Sequence, residues 1–138
     1  MTSHGSDRVQ IETAVHEVYK QLTDNARRNV EEVPFLTMKD VFMWSVALGY
    51  ASNTRKKLKK SRQQIFHWPQ FDAYQDVPVL KAVALTAERD VNVLTSPERI
   101  LRIVEEYANA GIHDLVARLD PDAGLPLNNL LHLARSAE

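Results

Sequence analysis

Six cations fall within eight residues: Arg55, Lys56, Lys57, Lys59, Lys60 and Arg62. Lys and Arg clustered in this way suit a phosphate backbone, because each neutralised phosphate releases condensed counterions. Ser52, Asn53, Thr54 and Ser61 stand alongside as donors to phosphate oxygens. The same composition also describes a solvated loop that only keeps the surface wet, or a dock for an acidic protein. Leu58 interrupts the run and is placed either to anchor the loop to the body or to touch a partner.

Phe66, His67, Trp68, Phe71 and Tyr74 follow directly. Rings beside a positive groove can stack bases. Aromatic side chains more commonly pack a core, and Phe66 and Trp68 are the rings expected to be buried. His67 has no partner in sequence that would make it a ligand or a base, so it is read as a surface or hydrogen-bonded histidine.

His4, His16, His67, His113 and His132 are scattered, and no two of them have metal-ligand spacing. Glu105, Glu106, Asn109, His113 and Asp114 could meet in a polar cleft between two helices, although a solvated helix face explains them more simply. Adjacent Glu105 and Glu106 point to different sides of a helix and cannot act as a pair. The four glycines, at positions 5, 49, 111 and 124, form no phosphate loop, and there is neither a nucleophile elbow nor an acidic calcium loop. No catalytic residue, metal site or cofactor is therefore expected.

The body that must position these residues has 138 residues and no cysteine, the size of one domain without disulfides or thiolate chemistry. Net charge is −1, which argues against a generic nucleic-acid binder, but the positive charge gathers in the middle of the chain. Residues 1–7 lack the basic start and apolar centre of a signal peptide, and no apolar run approaches the roughly 20 residues of a membrane span. A cytoplasmic location, with no membrane partner, is expected.

Ile11, Val15, Val18 and Leu22 recur at helical spacing, predicting a first helix from an Asp7 cap to about Arg28, with Glu12, Glu17, Lys20 and Gln21 on the outer face. Thr37 and Asp40 approximate a capping box for a second helix, apolar nearly all round, with Gly49 as its stop. Residues 51–64 read as the polar basic loop, and residues 65–74 as a short extended segment entering a helical turn. Asp76 and Pro78 start a third helix, and residues 91–94 form a β-prone link. Ser96, Pro97 and Glu98 start a fourth helix, ended or interrupted by Asn109, Ala110 and Gly111, with a short successor after it. Leu127, Leu130, Leu131 and Ala134 outline a last amphipathic helix. The expectation is an all-α, compact single domain of five to six short helices. Residues 1–7 would be a flexible tail, 8–119 the helical domain, and 120–138 a turn and C-terminal helix appended to it.

Four strings carry a family resemblance: residues 34–44 (PFLTMKDVFMW), 47–50 (ALGY), 65–68 (IFHW) and 103–112 (IVEEYANAGI). Across roughly residues 9 to 119 the chain resembles the small accessory proteins encoded beside bacterial DNA phosphorothioation (Dnd-type) modification and restriction genes. The resemblance implies a setting, bacterial anti-phage defence, and carries no catalytic motif. It favours contact with DNA at the basic loop or docking on a larger DNA-handling assembly.

The leading expectation is thus a non-enzymatic accessory or regulatory protein. Its basic loop, residues 55–62, would contact nucleic-acid backbone without regard to sequence. The alternative is an adaptor or subunit of a larger defence complex that does not itself bind nucleic acid and docks through Leu127, Leu130 and Leu131. DNA, larger defence-system proteins and a second copy of the chain are the candidate partners. A third reading, an enzyme built on His113, Asp114 and Glu106, requires those side chains to converge in a pocket.

Overall fold

The computed structural model describes residues 7–24, 35 and 37–119. Among them the chain forms two strands and four α-helices: β1 (Arg8–Glu12), α1 (Thr13–Leu22), α2 (Met38–Ala51), β2 (Arg62–His67), α3 (Asp76–Glu88) and α4 (Pro97–Arg118). Short 3-10 turns at Trp68–Gln70 and Val91–Thr95 lead towards α3 and α4.

The fold is mixed, which corrects the all-α expectation. The first predicted helix begins five residues late, because Arg8–Glu12 is a strand paired antiparallel with β2. Arg8 faces His67, Val9 faces Phe66 and Glu12 faces Arg62. The register shifts between Val9 and Gln10, so Ile65 has no opposite number and the ribbon bends there. Val9 and Ile11 alternate inward, as a half-buried strand requires.

Thr37 caps α2 as its sequence announces. Its hydroxyl accepts from the Asp40 N–H, and the Asp40 carboxylate accepts from the Thr37 N–H. Val41, Phe42, Val46 and Leu48 are buried, and the hydroxyl of buried Ser45 donates to the Val41 carbonyl at 2.8 Å. The helix does not stop at Gly49 but continues to Ala51. Likewise α4 runs unbroken through Asn109, Ala110 and Gly111 to Arg118. Neither glycine terminates a helix: Gly49 lies against the backbone of Tyr107, and Gly111 against that of Ser45. They let α2 and α4 cross backbone to backbone, and this pair is the centre of the molecule.

Around the pair, Leu80, Val83 and Ala84 of α3 close one flank. Lys39 of α2 bonds Asp76 at the start of α3 at 2.8 Å, and that contact holds the lysine's pKa above its ordinary value. Phe42, Phe66, Phe71 and Trp68 form a chain of ring contacts with centroids 5.2–6.0 Å apart. These rings are core material. Phe66 and Phe71 are buried, Trp68 is half-buried, and only Tyr74 of the cluster stands in solvent.

Candidate nucleic-acid interface

Residues 52–61 cross from the end of α2 to β2 with no regular secondary structure, yet nearly every turn of this loop is tied to the body. Ser52 closes α2 by donating its hydroxyl to the Leu48 carbonyl. Asn53 takes a left-handed conformation, φ 52°, which asparagine tolerates better than most residues. The Thr54 N–H then returns to the Gly49 carbonyl.

Arg55 lies along α4. Its guanidinium donates twice to Glu106 Oε1, at 2.9 and 3.1 Å, and covers the Tyr107 ring at 5.4 Å. The Lys56 N–H donates to the Glu106 carbonyl. Leu58 is buried and anchors the loop to the body. Arg62 turns back on the loop, donating to the carbonyls of Lys59 at 2.9 Å and Leu58 at 3.2 Å. Both arginines of the basic run are therefore used as structural braces.

The deepest tie is polar and buried. Glu12, placed on the outer face of a first helix by periodicity, is in fact only 5% exposed at the end of β1. Its Oε2 accepts from the Lys59 N–H and from Asn109 Nδ2, both at 3.0 Å. The Asn109 amide also donates to the Lys56 carbonyl at 3.0 Å. Burial pushes the Glu12 carboxyl up, but the Lys59 N–H, the Asn109 amide and the charges of Lys59 and Lys56 outweigh it and hold the group below its ordinary value. Glu12 and Asn109 were not expected at this site. Nothing in local spacing marks them, since their partners lie about fifty residues away in sequence.

One turn earlier on α4, Glu105 performs a similar task for β1. Its carboxylate accepts from the Gln10 N–H at 2.8 Å and from Arg102 at 3.0 Å. Burial pushes its pKa up to about 7 despite the pull of Arg102, the Gln10 N–H and Arg62. Glu105 and Glu106 do point to different sides: the first is buried, while the second faces outward to Arg55.

What remains at the surface is Lys56, Lys57, Lys59 and Lys60, all exposed. Among the described residues, none of their ammonium groups is joined to an acid or an acceptor. They put four positive charges on one braced backbone segment.

The enzyme reading gains nothing from the geometry. Glu106 pairs with Arg55, Asp114 pairs with Arg118 of its own helix at 2.9 Å, and His113 is exposed. The described residues contain no cluster able to hold a metal ion. A cleft of about 480 Å³ lies at the far end of α2 from the basic loop, lined in part by Thr37, Lys39, Asp40 and Gln70. Its polar groups are already engaged in the α2 cap, the Asp76 ion pair and the turn at His67. His67 accepts from Arg8 across the ribbon, if its Nε2 is the unprotonated nitrogen. No described helix is long and apolar enough to cross a membrane. Leu127, Leu130 and Leu131 lie outside the described residues.

The architecture thus defines a helical domain with a two-stranded ribbon and a braced, lysine-bearing loop. The sequence profile of a family described as DNA sulphur modification system-associated protein 4 matches residues 8–137, and the chain belongs to that family. The match runs past residue 119, where the resemblance read from the four strings ends. No curated protein and no solved structure matches the chain.

Proposed function

We propose that the chain is a non-enzymatic accessory protein of a DNA sulphur modification system that rests its basic loop on a nucleic-acid backbone. The observation that carries this is the set Lys56, Lys57, Lys59 and Lys60, exposed and with no ammonium group in an ion pair among the described residues, beside two arginines already spent on the body. Four ammonium groups held on one loop can each displace a condensed counterion, and the chemistry asks only for phosphates. Contact of this kind positions a protein without reading bases. A non-catalytic role is supported by the fate of the two buried acids. Glu12 and Glu105 are both occupied in holding β1 and the loop in place.

Fluorescence anisotropy with labelled duplex and single-stranded DNA tests the proposal. With four phosphates neutralised on a duplex, the logarithm of affinity should fall with the logarithm of salt at a slope of about −3.6. Affinity then drops roughly a hundredfold between about 50 and 200 mM salt. Absence of binding at the lower salt contradicts the proposal and leaves the adaptor reading in its place.

A further inference from the structure

We infer that Glu12 and Asn109 are positioning residues of the phosphate-contacting site, clamping the basic loop into its binding shape before any ligand arrives. The inference rests on the proposed phosphate contact and adds to it a division of labour between the loop and the body.

The loop has the composition of a mobile segment. Residues 52–61 have no regular secondary structure and carry five cations, with Arg62 following as the first residue of β2; their mutual repulsion favours an open chain. Its backbone is nevertheless gripped in the middle. Glu12 Oε2 takes the Lys59 N–H, the Asn109 amide takes the Lys56 carbonyl, and Glu12 and Asn109 bond each other. Both residues are 5% exposed, so the clamp is shielded from competing water. A loop already ordered avoids the entropy loss of ordering on binding, which is how preorganisation raises affinity.

The charge on Glu12 makes the role separable from simple electrostatics. A carboxylate beside Lys56 and Lys59 opposes phosphate binding, whereas its hydrogen bonds favour it. Glu12→Gln retains an acceptor oxygen and discards the charge. Glu12→Ala discards both. If position is what matters, glutamine rescues and alanine does not.

The experiment joins two readouts on the full chain: anisotropy with a labelled duplex at about 50 mM salt, and the rate of trypsin cleavage within residues 55–62, with thermal unfolding run alongside. Expected are slow cleavage in the wild type, cleavage faster by about tenfold in Glu12→Ala as the loop opens locally, and affinity weaker by about tenfold. Glu12→Gln should restore protection and bind at least as tightly as the wild type. Asn109→Ala, which leaves the Glu12–Lys59 bond in place, serves if Glu12→Ala does not fold, and should shift both readouts in the same direction. Rapid cleavage with wild-type affinity in the alanine variants overturns the inference and leaves the phosphate contact standing. Wild-type protection in both alanine variants overturns it as well. A wild-type protein that binds no duplex removes the phosphate contact and the inference with it.

Discussion

Gly49 of α2 lies so close to the backbone carbonyl of Tyr107 in α4 that a Cβ added there would collide with it. Gly111 of α4 stands in the same relation to the carbonyl of Ser45 in α2. The two contacts fix how the long helices cross, and through α4 they fix where Glu105, Glu106 and Asn109 meet the ribbon and the loop. In a solvent-facing helix, glycine to alanine is worth about 1 kcal/mol of added stability. Here the sign reverses, because backbone cannot move aside as a flexible side chain can. Gly111→Ala should lose about 3 kcal/mol or more in urea unfolding. An unchanged or raised midpoint would show that the helices do not touch.

Glu105 gives stability a pH dependence of unusual sign. Its folded carboxyl, with a pKa of about 7 against an ordinary 4.5, binds its proton more tightly than the unfolded chain does. Stability therefore falls as pH rises from 4.5 to about 7, and the loss levels off above that window. Its total is on the order of 3 kcal/mol. Glu12 works in the opposite direction and lower down, since its depressed pKa removes stability only as pH falls below its ordinary 4.5. Unfolding free energies from urea titration of the wild type at about pH 5 and pH 8 should differ by about this amount, and Glu105→Gln should flatten the difference. An equal difference in both proteins would place the titration elsewhere.

Much of this could be read from the sequence, and the failures share a cause. The Thr37–Asp40 cap and the starts at Asp76 and Ser96 are local signals, and the structure keeps them; of the two uses the sequence leaves open for Leu58, burial favours anchoring. The strand at Arg8–Glu12 was hidden because Ile11 and Val15 are spaced as a helix face would be, while its partner β2 lies some fifty residues on. Half of β2 is the exposed polar stretch Arg62, Gln63 and Gln64, which reads as loop. Glycine inside a helical pattern reads locally as a stop, as at Gly49, or as a stop or interruption, as at Gly111. Their actual use depends on the opposite helix. Glu12 and Asn109 are polar residues buried by partners that only the tertiary fold supplies.

Arg55 and Arg62 should matter less to nucleic acid than their neighbours do. Arg55 is committed to Glu106 and Tyr107, and Arg62 to the carbonyls of Leu58 and Lys59. Arg55→Ala should change the salt slope of DNA binding by less than about 0.5, whereas each lysine contributes about 0.9. Titration at several salt concentrations separates the two. A full unit lost with Arg55 would mean that its guanidinium leaves Glu106 for phosphate.

The α2 cap is a purely structural feature, and it predicts a loss of stability alone. Thr37→Ala removes the acceptor for the Asp40 N–H and should cost about 1 kcal/mol. DNA affinity should not move with it. Thermal unfolding and anisotropy on the same preparation check both halves, and a fall in affinity would tie the cap to the interface.

Lys56, Lys57, Lys59 and Lys60 provide the most direct test of the phosphate contact. With all four replaced by alanine, the hydrogen bonds at Arg55, Arg62, Glu12 and Asn109 and the buried Leu58 remain, because the lysines enter those bonds only through backbone atoms; what Glu12 loses is the nearby charge of Lys56 and Lys59. Anisotropy with labelled duplex DNA at about 50 mM salt should show binding lost and the salt slope reduced by about 3.6, with the unfolding midpoint of the wild type retained. Equal binding by wild type and variant at that salt would contradict the account.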